Sequence, residues 1–165
     1  MRLTTILLAL ALAFGLAACG SGKFRTYNGP EVTSIQVHKA ARKMYLLHND
    51  KVLEQYDIAL GFAPIGHKQF EGDGKTPEGA YQINFRNPDS DYHLSLKISY
   101  PDENDRAFAD EAGKPTGGDI FIHGHSNWKG RNKGDWTAGC IAVTDREMEV
   151  IYSMVRVGTI IYILP

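Results

Sequence analysis

Seven short strand-like runs constrain this chain to a mainly β fold. In one of them Leu94, Leu96 and Ile98 alternate with polar residues, which is the two-residue period of a strand with one buried face. Asn49-Asp50 lies between two runs and predicts a hairpin. The runs span residues 34–38, 43–48, 52–60, 80–85, 92–99, 119–122 and 159–164. They predict a β-sandwich-like domain.

One helix is predicted after Cys140. Thr144 is followed three residues later by Glu147, which is the spacing of a capping box. Apolar residues then recur at the spacing of one helix face, at Met148, Ile151, Tyr152 and Val155. We therefore expect a helix that packs on the sheet, followed by a closing strand.

The N-terminus has the pattern of an export signal. Arg2 is followed by an apolar run over residues 6–16, which is shorter than the roughly 20 residues that span a bilayer. A buried N-terminal helix is the alternative, but no polar face interrupts this run. Leu16-Ala17-Ala18-Cys19 resembles the processing signal of bacterial lipoproteins, in which the cysteine carries the lipid. We expect three segments: a signal peptide (1–18), a lipid-anchored flexible tether (19–31) and the folded domain (32–165).

This interpretation predicts an exported protein that faces the periplasm or cell wall. Several acyl chains on Cys19 would hold it to a membrane. Gly20 rather than Asp follows, which in a Gram-negative host favours the outer membrane. The chain has 18 Lys+Arg against 19 Asp+Glu, so no global positive charge favours nucleic-acid binding.

The chain has two cysteines, and in an exported protein a Cys19–Cys140 disulfide would be the ordinary expectation. Lipid on Cys19 would leave Cys140 as a free thiol. Gly139 directly precedes it, and such a turn can point backbone N–H groups at a developing oxyanion. The alternative is an inert buried thiol.

His123 follows the apolar run 119–122, where a buried strand would emerge into a loop. This position suits a general base, because a rigid strand supports an imidazole that titrates near neutral pH. The alternative is a hydrogen-bonded structural histidine. Between His123 and Cys140 lie Lys129, Arg131 and Lys133, opposed only by Asp135. They can lower the thiol pKa or bind a substrate carboxylate; a solvated loop is the alternative.

Several separated motifs together resemble the L,D-transpeptidase (YkuD-type) catalytic domain, from about residue 34 to residue 163. They are Gly72-Asp73-Gly74-Lys75-Thr76-Pro77-Glu78-Gly79, His93, Ser99-Tyr100-Pro101, Ile122-His123-Gly124 and Thr137-Ala138-Gly139-Cys140. The resemblance implies a β-sandwich-like fold and a ping-pong reaction on peptidoglycan stem peptides, with no cofactor. It also implies a role in cell-wall biogenesis and in the control of cell shape.

The resemblance also implies a role for each site residue. Cys140 is the nucleophile, and His123 is the general acid/base. The Gly124 carbonyl holds the imidazole, and N–H groups of Gly139 and Cys140 form the oxyanion hole. His125, Trp128 and Trp136 are candidates to line the substrate cleft, although loop packing explains them equally well. The Thr76-Pro77-Glu78-Gly79 stretch is expected to have a structural role.

Two positions depart from the usual motif of the family. Ala138 and Ala142 stand where a His and an Arg are usual. The run from Gly139 to Asp145 is similar to a branch that includes hydrolases, among them one that releases a lipoprotein from peptidoglycan. Cleavage by a carboxypeptidase, endopeptidase or amidase is therefore the alternative to transfer onto an amine.

Two other classes of protein stay open as interpretations. His123 and His125 would share one face if the strand continued, and with Cys140 they would make a three-ligand zinc site. A non-catalytic module that binds the cell wall is the second.

Overall fold

The computed structural model describes residues 22–125 and 134–165. Strands account for 32% of the structure and helices for 14%, so the predicted mainly β class is confirmed. The described residues form eight strands and two helices. The strands are β1 (Ser34–His38), β2 (Lys43–His48), β3 (Lys51–Asp57), β4 (Gly79–Asn87), β5 (Ser95–Ile98), β6 (Phe121–His123), β7 (Ile141–Ala142) and β8 (Ile160–Leu164), and the helices are α1 (Glu103–Glu111) and α2 (Asp145–Met154).

The eight strands form one curled sheet in the order β3-β2-β1-β8-β4-β5-β6-β7. Strand β4 carries the curl, because its first half pairs with β8 and its second half with β5, with a register shift between Ile83 and Phe85. Beyond β3, Ala59 bridges to Ala142 and Gly61 to Thr137. These two bridges bring the segment after one edge strand against the opposite edge of the sheet, beside Cys140.

Strands β1 and β2 occupy the predicted residues, and Asn49 in the hairpin between β2 and β3 has a left-handed φ of 55°. Other strands differ at their ends. The predicted run 92–99 is extended only from Ser95, because His93 has a φ of 73° and turns the chain. Likewise β6 begins at Phe121, after Asp119 with a φ of 54°.

Helix α2 follows Cys140 as predicted. The capping box is present, since the Glu147 N–H donates to Thr144 Oγ1 at 3.3 Å and Glu147 Oε2 accepts from the Thr144 N–H at 2.8 Å. Its apolar face packs on β5 and β6, through Met148, Ile151 and Tyr152. This packing places the core between the curled sheet and α2, directly behind the end of β6.

Helix α1 corrects the expectation of a single helix. Asp102 caps it, with its side chain accepting from the Asp105 N–H at 2.9 Å. Only Asp105 and Ala109 of this helix are buried. It therefore lacks the apolar stripe that would have predicted a helix from the sequence. No helix within the described ranges is long and apolar enough to cross a membrane. The signal peptide and Cys19 lie outside those ranges, and the predicted domain boundaries stay predictions.

Candidate active site

His123 is the last residue of β6 and is only 3% exposed. In the sheet it pairs with Ser95 on one side and Ala142 on the other. Its Nδ1 lies 2.7 Å from the Gly124 carbonyl oxygen. Because a carbonyl only accepts, this contact places the proton on Nδ1 and leaves the lone pair of the neutral ring on Nε2.

Cys140 stands directly before β7, which runs parallel to β6. Its Sγ accepts from the Phe121 N–H at 3.4 Å and lies 3.5 Å from the Asp119 carbonyl oxygen. Both contacts fix the thiol against the start of the strand that carries His123. Cys140 and His123 line one cavity of about 240 Å³, together with Asn87, Ser90, Asp91, Tyr92, Ser95, Asp119 and Phe121. The structure therefore brings the two predicted catalytic side chains together.

Burial keeps both groups neutral. It raises the pKa of the Cys140 thiol above its ordinary value, more than the Phe121 N–H lowers it, and the Asp119 carboxylate adds to the rise. Burial also lowers the pKa of His123, against the opposing effect of the Gly124 carbonyl. The resting state is thus a thiol and a neutral imidazole that line one cavity, and neither side chain is charged before attack.

Nearby cations were expected to lower the pKa of the Cys140 thiol. Among the described residues Lys68 lowers the pKa of Cys140, but this effect is smaller than that of burial. Lys129 and Arg131, which were expected to supply positive charge or bind a carboxylate, lie outside the described residues, and so does Trp128. Their roles stay predictions.

The turn before Cys140 depends on Gly139. Its φ is 140°, and a Cβ at this position would lie 2.7 Å from the Lys75 carbonyl oxygen. The Gly139 N–H donates to Thr137 Oγ1 at 3.1 Å, and Thr137 Oγ1 donates to the Cys140 carbonyl at 2.7 Å. Because the Gly139 N–H is used inside the turn, this geometry does not support it as an oxyanion donor. The Cys140 N–H stays the predicted donor.

Gly124 allows close packing next to the base. A Cβ there would lie 2.5 Å from Asp145 Oδ1 and 2.9 Å from the Tyr92 carbonyl oxygen. The Gly124 N–H donates to that same carbonyl at 3.1 Å. The loop between β4 and β5 and the start of α2 can therefore both contact the backbone beside His123.

Aromatic rings cover His123 on one side. The Tyr92 ring centroid lies 4.5 Å from that of His123, and the Trp136 centroid lies 5.8 Å from it. His125 contacts Tyr92 edge to face at 5.9 Å. Of the predicted cleft residues, His125 and Trp136 thus lie in the shell around His123, whereas the cavity wall itself is formed by other residues.

Sequence reasoning missed Tyr92 and Asp119 as parts of the site. Tyr92 begins an apolar run that was interpreted as strand, and its contact with His123 joins the loop between β4 and β5 to strand β6, which is distant in sequence. Asp119 acts through its carbonyl as well as its charge, and a backbone contact carries no residue signature.

The Gly-Lys-Thr-Pro-Glu-Gly loop, residues 74–79, contacts the turn before Cys140 through the Lys75 carbonyl. This contact agrees with a structural role. Thr76 is fully buried, and its Oγ1 accepts from the Gly61 N–H at 3.1 Å. The buried Lys39 ammonium donates to the Thr76 carbonyl at 2.9 Å and to Glu78 Oε1 at 2.7 Å. The loop is thereby fixed where the Lys75 carbonyl meets Gly139.

The zinc interpretation required His123 and His125 on one strand face. Strand β6 ends at His123, and His125 has a φ of 66° with its N–H bonded to Asp145 Oδ1 at 2.7 Å. The strand does not continue, so the premise of that interpretation is wrong. Within residues 22–125 and 134–165, no three His, Cys, Asp or Glu side chains cluster as metal ligands would.

A curled sheet that holds a Gly-Cys turn and a histidine at neighbouring parallel strands defines an L,D-transpeptidase-like catalytic domain. Residues 33–163 match the profile of the YkuD family, the L,D-transpeptidase catalytic domain, and the chain belongs to this family. The resemblance found in the sequence is confirmed.

One curated relative, "Putative L,D-transpeptidase YafK" of Escherichia coli (strain K12), is 30% identical over 134 residues. The alignment covers 78% of this chain and 48% of that protein. The chain thus spans about half the length of the curated relatives it matches.

Solved structures show the same fold. The helical cell shape determining protein Pgp2 from Campylobacter jejuni aligns with a TM-score of 0.63 and 26% identity, over 83% of this chain and 49% of that one. An L,D-transpeptidase from Mycobacterium smegmatis aligns with a TM-score of 0.57 and 14% identity, over 81% of this chain and 59% of that one.

Proposed function

We propose that this protein is a cysteine acyltransferase that acts on peptidoglycan stem peptides. Cys140 is the nucleophile and His123 the general base and acid. The observation that carries the proposal is the shared cavity of these two side chains, with His123 Nδ1 held by the Gly124 carbonyl. The L,D-transpeptidase family of the chain supports the substrate class.

The reaction follows from the protonation states of the pair. Cys140 Sγ attacks the carbonyl carbon of the scissile amide while its proton passes to His123 Nε2. The tetrahedral intermediate collapses, the C–N bond breaks, and His123 returns the proton to the leaving amine. A thioester remains on Cys140. An amine or a water molecule then attacks this thioester while its proton passes to His123 Nε2. The C–S bond breaks, the acyl group leaves with the amine or water, and His123 returns the proton to Cys140 Sγ.

Hydrolysis is the second candidate outcome, and the environment of Ala142 favours it. Ala142 is fully buried on β7 beside His123, and Ala138 is exposed in the nucleophile turn. Neither position supplies the polar side chain that is usual in the family. Without an Arg or a His at these two positions, neither can bind a stem peptide through a polar contact, so water competes better with an amine for the thioester.

The first experiment separates cysteine chemistry from its alternatives. Purified protein is incubated with sacculi, and the released muropeptides are quantified. Iodoacetamide and Cys140→Ala should each abolish the activity, since the thiol is the attacking group, whereas a chelator should leave it unchanged. Activity that is lost with chelator and survives in Cys140→Ala would refute the proposal. A protein that binds sacculi without altering any muropeptide would be a wall-binding module.

The second experiment distinguishes the two outcomes of the thioester. Muropeptide products are identified by mass after reaction with and without an added amine acceptor. New cross-links or acceptor adducts indicate transfer, and trimmed stems or a released lipoprotein peptide indicate hydrolysis.

We further propose that the domain works at a membrane surface through lipid on Cys19. The Leu-Ala-Ala-Cys pattern supports this location. The 26% identity with a cell-shape-determining protein supports a role in cell shape.

A further inference from the structure

A chain of hydrogen bonds, which includes the Arg25–Glu149 ion pair, links the N-terminal segment to the active-site wall. We call residues 23–27 the N-terminal strap and residues 88–94 the β4–β5 loop. Arg25 donates to Glu149 Oε2 through Nη2 at 2.7 Å and through Nε at 3.0 Å. The other oxygen of Glu149, Oε1, lies 3.1 Å from His93 Nε2. One carboxylate on α2 thus holds the strap on one side and the loop on the other.

The strap also contacts the loop directly. The Lys23 ammonium donates to the Pro88 carbonyl and lies 3.4 Å from the His93 carbonyl oxygen. The Phe24 ring lies 6.3 Å from that of Tyr152 on α2. The two ends of the β4–β5 loop are therefore both tied to the strap.

The far side of the same loop forms the active site. Ser90, Asp91 and Tyr92 line the cavity of Cys140, and the Tyr92 carbonyl accepts from the Gly124 N–H. A Cβ on Gly124 would lie 3.3 Å from that of His93, so the loop rests tightly against the residue after the base. His93 has a φ of 73°, an unfavourable conformation for a residue with a side chain. Its contact with Glu149 stabilises that conformation.

We propose that Glu149 is a positioning residue: it joins the N-terminal strap to His93 and so holds the β4–β5 loop in place as the wall of the substrate cavity. The inference rests on the proposed function for its kinetic consequence only. Cys140 and His123 are held by β6 and β7, so loss of Glu149 should loosen substrate binding more than it changes the thiol. Hydrogen bonds from His93 and Arg25 lower the pKa of Glu149 although burial alone would raise it, which agrees with a carboxylate held between two donors.

The test measures the loop itself in the full-length protein. In Glu149→Ala, amide hydrogen exchange at Gly124 and in residues 89–94 should rise about tenfold, the effect of losing hydrogen bonds to a charged group. Alanine is the best helix former, so α2 should persist. The control is Glu54→Ala on β3, which should leave this exchange unchanged. Unchanged exchange in Glu149→Ala would overturn the proposal.

Two further variants separate positioning from general destabilisation. His93→Gln keeps a donor for Glu149, so its exchange rates should stay within about twofold of wild type. His93→Ala removes that donor and should resemble Glu149→Ala. Equal behaviour of the two His93 variants would contradict the role of the His93–Glu149 contact. Replacing Lys23 and Arg25 together by Met should raise exchange in the same residues. If it does not, the strap has no part in holding the loop.

Kinetics give the consequence for the reaction. With muropeptide substrate, Glu149→Ala should raise KM about tenfold and change kcat less than twofold, while the alkylation rate of Cys140 by iodoacetamide stays within twofold of wild type. A fall in kcat with unchanged KM would contradict the positioning role. If no muropeptide activity exists at all, the proposed function fails, but hydrogen exchange still tests the contact with Glu149.

Discussion

His123 is buried and Cys140 is partly buried, and the backbone groups around them determine where each proton lies. The Gly124 carbonyl fixes the proton of His123 on Nδ1, so Nε2 is free to accept one. The Phe121 N–H points at Sγ and favours the thiolate that forms transiently. Both are backbone groups. The family resemblance implied the Gly124 carbonyl, but no residue type in the sequence indicated the Phe121 N–H.

The pH profile tests these protonation states. Burial lowers the pKa of His123, and only the neutral imidazole accepts a proton, so kcat/KM should rise with pH with a midpoint below the ordinary 6.5. Burial raises the pKa of Cys140, so its alkylation by iodoacetamide should still be increasing above pH 9.0. An alkylation plateau already reached at neutral pH would indicate a preformed thiolate and contradict a neutral resting pair.

The sequence indicated Cys140 and His123 through the Gly-Cys turn, the apolar run before His123 and the motifs of the family, and the structure places both side chains in one cavity. Their catalytic roles stay proposals. The sequence did not indicate Tyr92, since the ring contact with His123 depends on how the β4–β5 loop folds back over β6. The assignment of an oxyanion role to the Gly139 N–H was not supported for a similar reason. The Gly139 N–H already donates to Thr137 Oγ1, a contact that depends on how the turn folds.

At the scale of elements, the turn that carries Cys140 is fixed by contact with the Gly-Lys-Thr-Pro-Glu-Gly loop. Gly139→Ala should lower kcat/KM by about a hundredfold, because a Cβ 2.7 Å from the Lys75 carbonyl forces the turn to move and misplaces the thiol. Steady-state kinetics measure this change. Gly72→Ala is the matched control, since Gly72 also has a positive φ but no atom within 4 Å of its Cβ position. Equal activity losses in both variants would mean that strain alone, and not the contact with Lys75, explains the effect.

The same loop is organised by Asp73. Burial alone would raise the pKa of Asp73, but hydrogen bonds from the Gln69 and Lys75 N–H groups and from Lys68 lower it from 3.8 to about 2. A lowered carboxyl pKa stabilises the fold above pH 3.8, and this stabilisation disappears as the pH falls towards 2.

Asp73→Asn should therefore lower the free energy of unfolding by about 2 kcal/mol at pH 7, as measured by urea denaturation. The difference from wild type should shrink as the pH approaches 2. Asp110→Asn, at an exposed position on α1, should change stability by less than about 0.5 kcal/mol. A difference between Asp73→Asn and wild type that is independent of pH would contradict the ionic origin of the effect.

Elements were predictable where one local pattern decided them. Strand β1 alternates apolar and polar residues, Asn49-Asp50 turns the chain between β2 and β3, and α2 has both a capping box and an apolar face. Helix α1 has neither an apolar face nor a Glu or Gln at the third position of its capping box, which is Asp105. Strand β7 is two residues long, and only its neighbours in the sheet define it.

At the scale of the whole molecule, the curled sheet places the catalytic turn where its two edges meet. The bridges from Ala59 and Gly61 reach β7 and the Cys140 turn from the far edge. Such closure depends on contacts distant in sequence, so the apolar runs predicted strands and a sandwich-like domain but not the strand order.

The position of the domain in the cell is a separate prediction. Replacing Cys19 by Ser removes the thiol that would carry lipid, so the variant should leave the membrane fraction or accumulate with its signal peptide attached. Immunoblots of fractionated cells measure this distribution. Cys140→Ser is the control and should fractionate like wild type, since Cys140 belongs to the active site. A Cys19→Ser protein that is processed and still pellets with membranes would refute acylation.

The proposed reaction requires that Cys140 forms a thioester with a stem peptide. Trapping that thioester is the most direct test of the reaction. Wild-type protein mixed with a stem peptide and quenched in acid should gain the mass of the acyl fragment, and peptide mapping should place that mass on Cys140. In Cys140→Ala the adduct should be absent and turnover lost. Turnover of the stem peptide by Cys140→Ala, or an adduct mapped to another residue, would contradict the account.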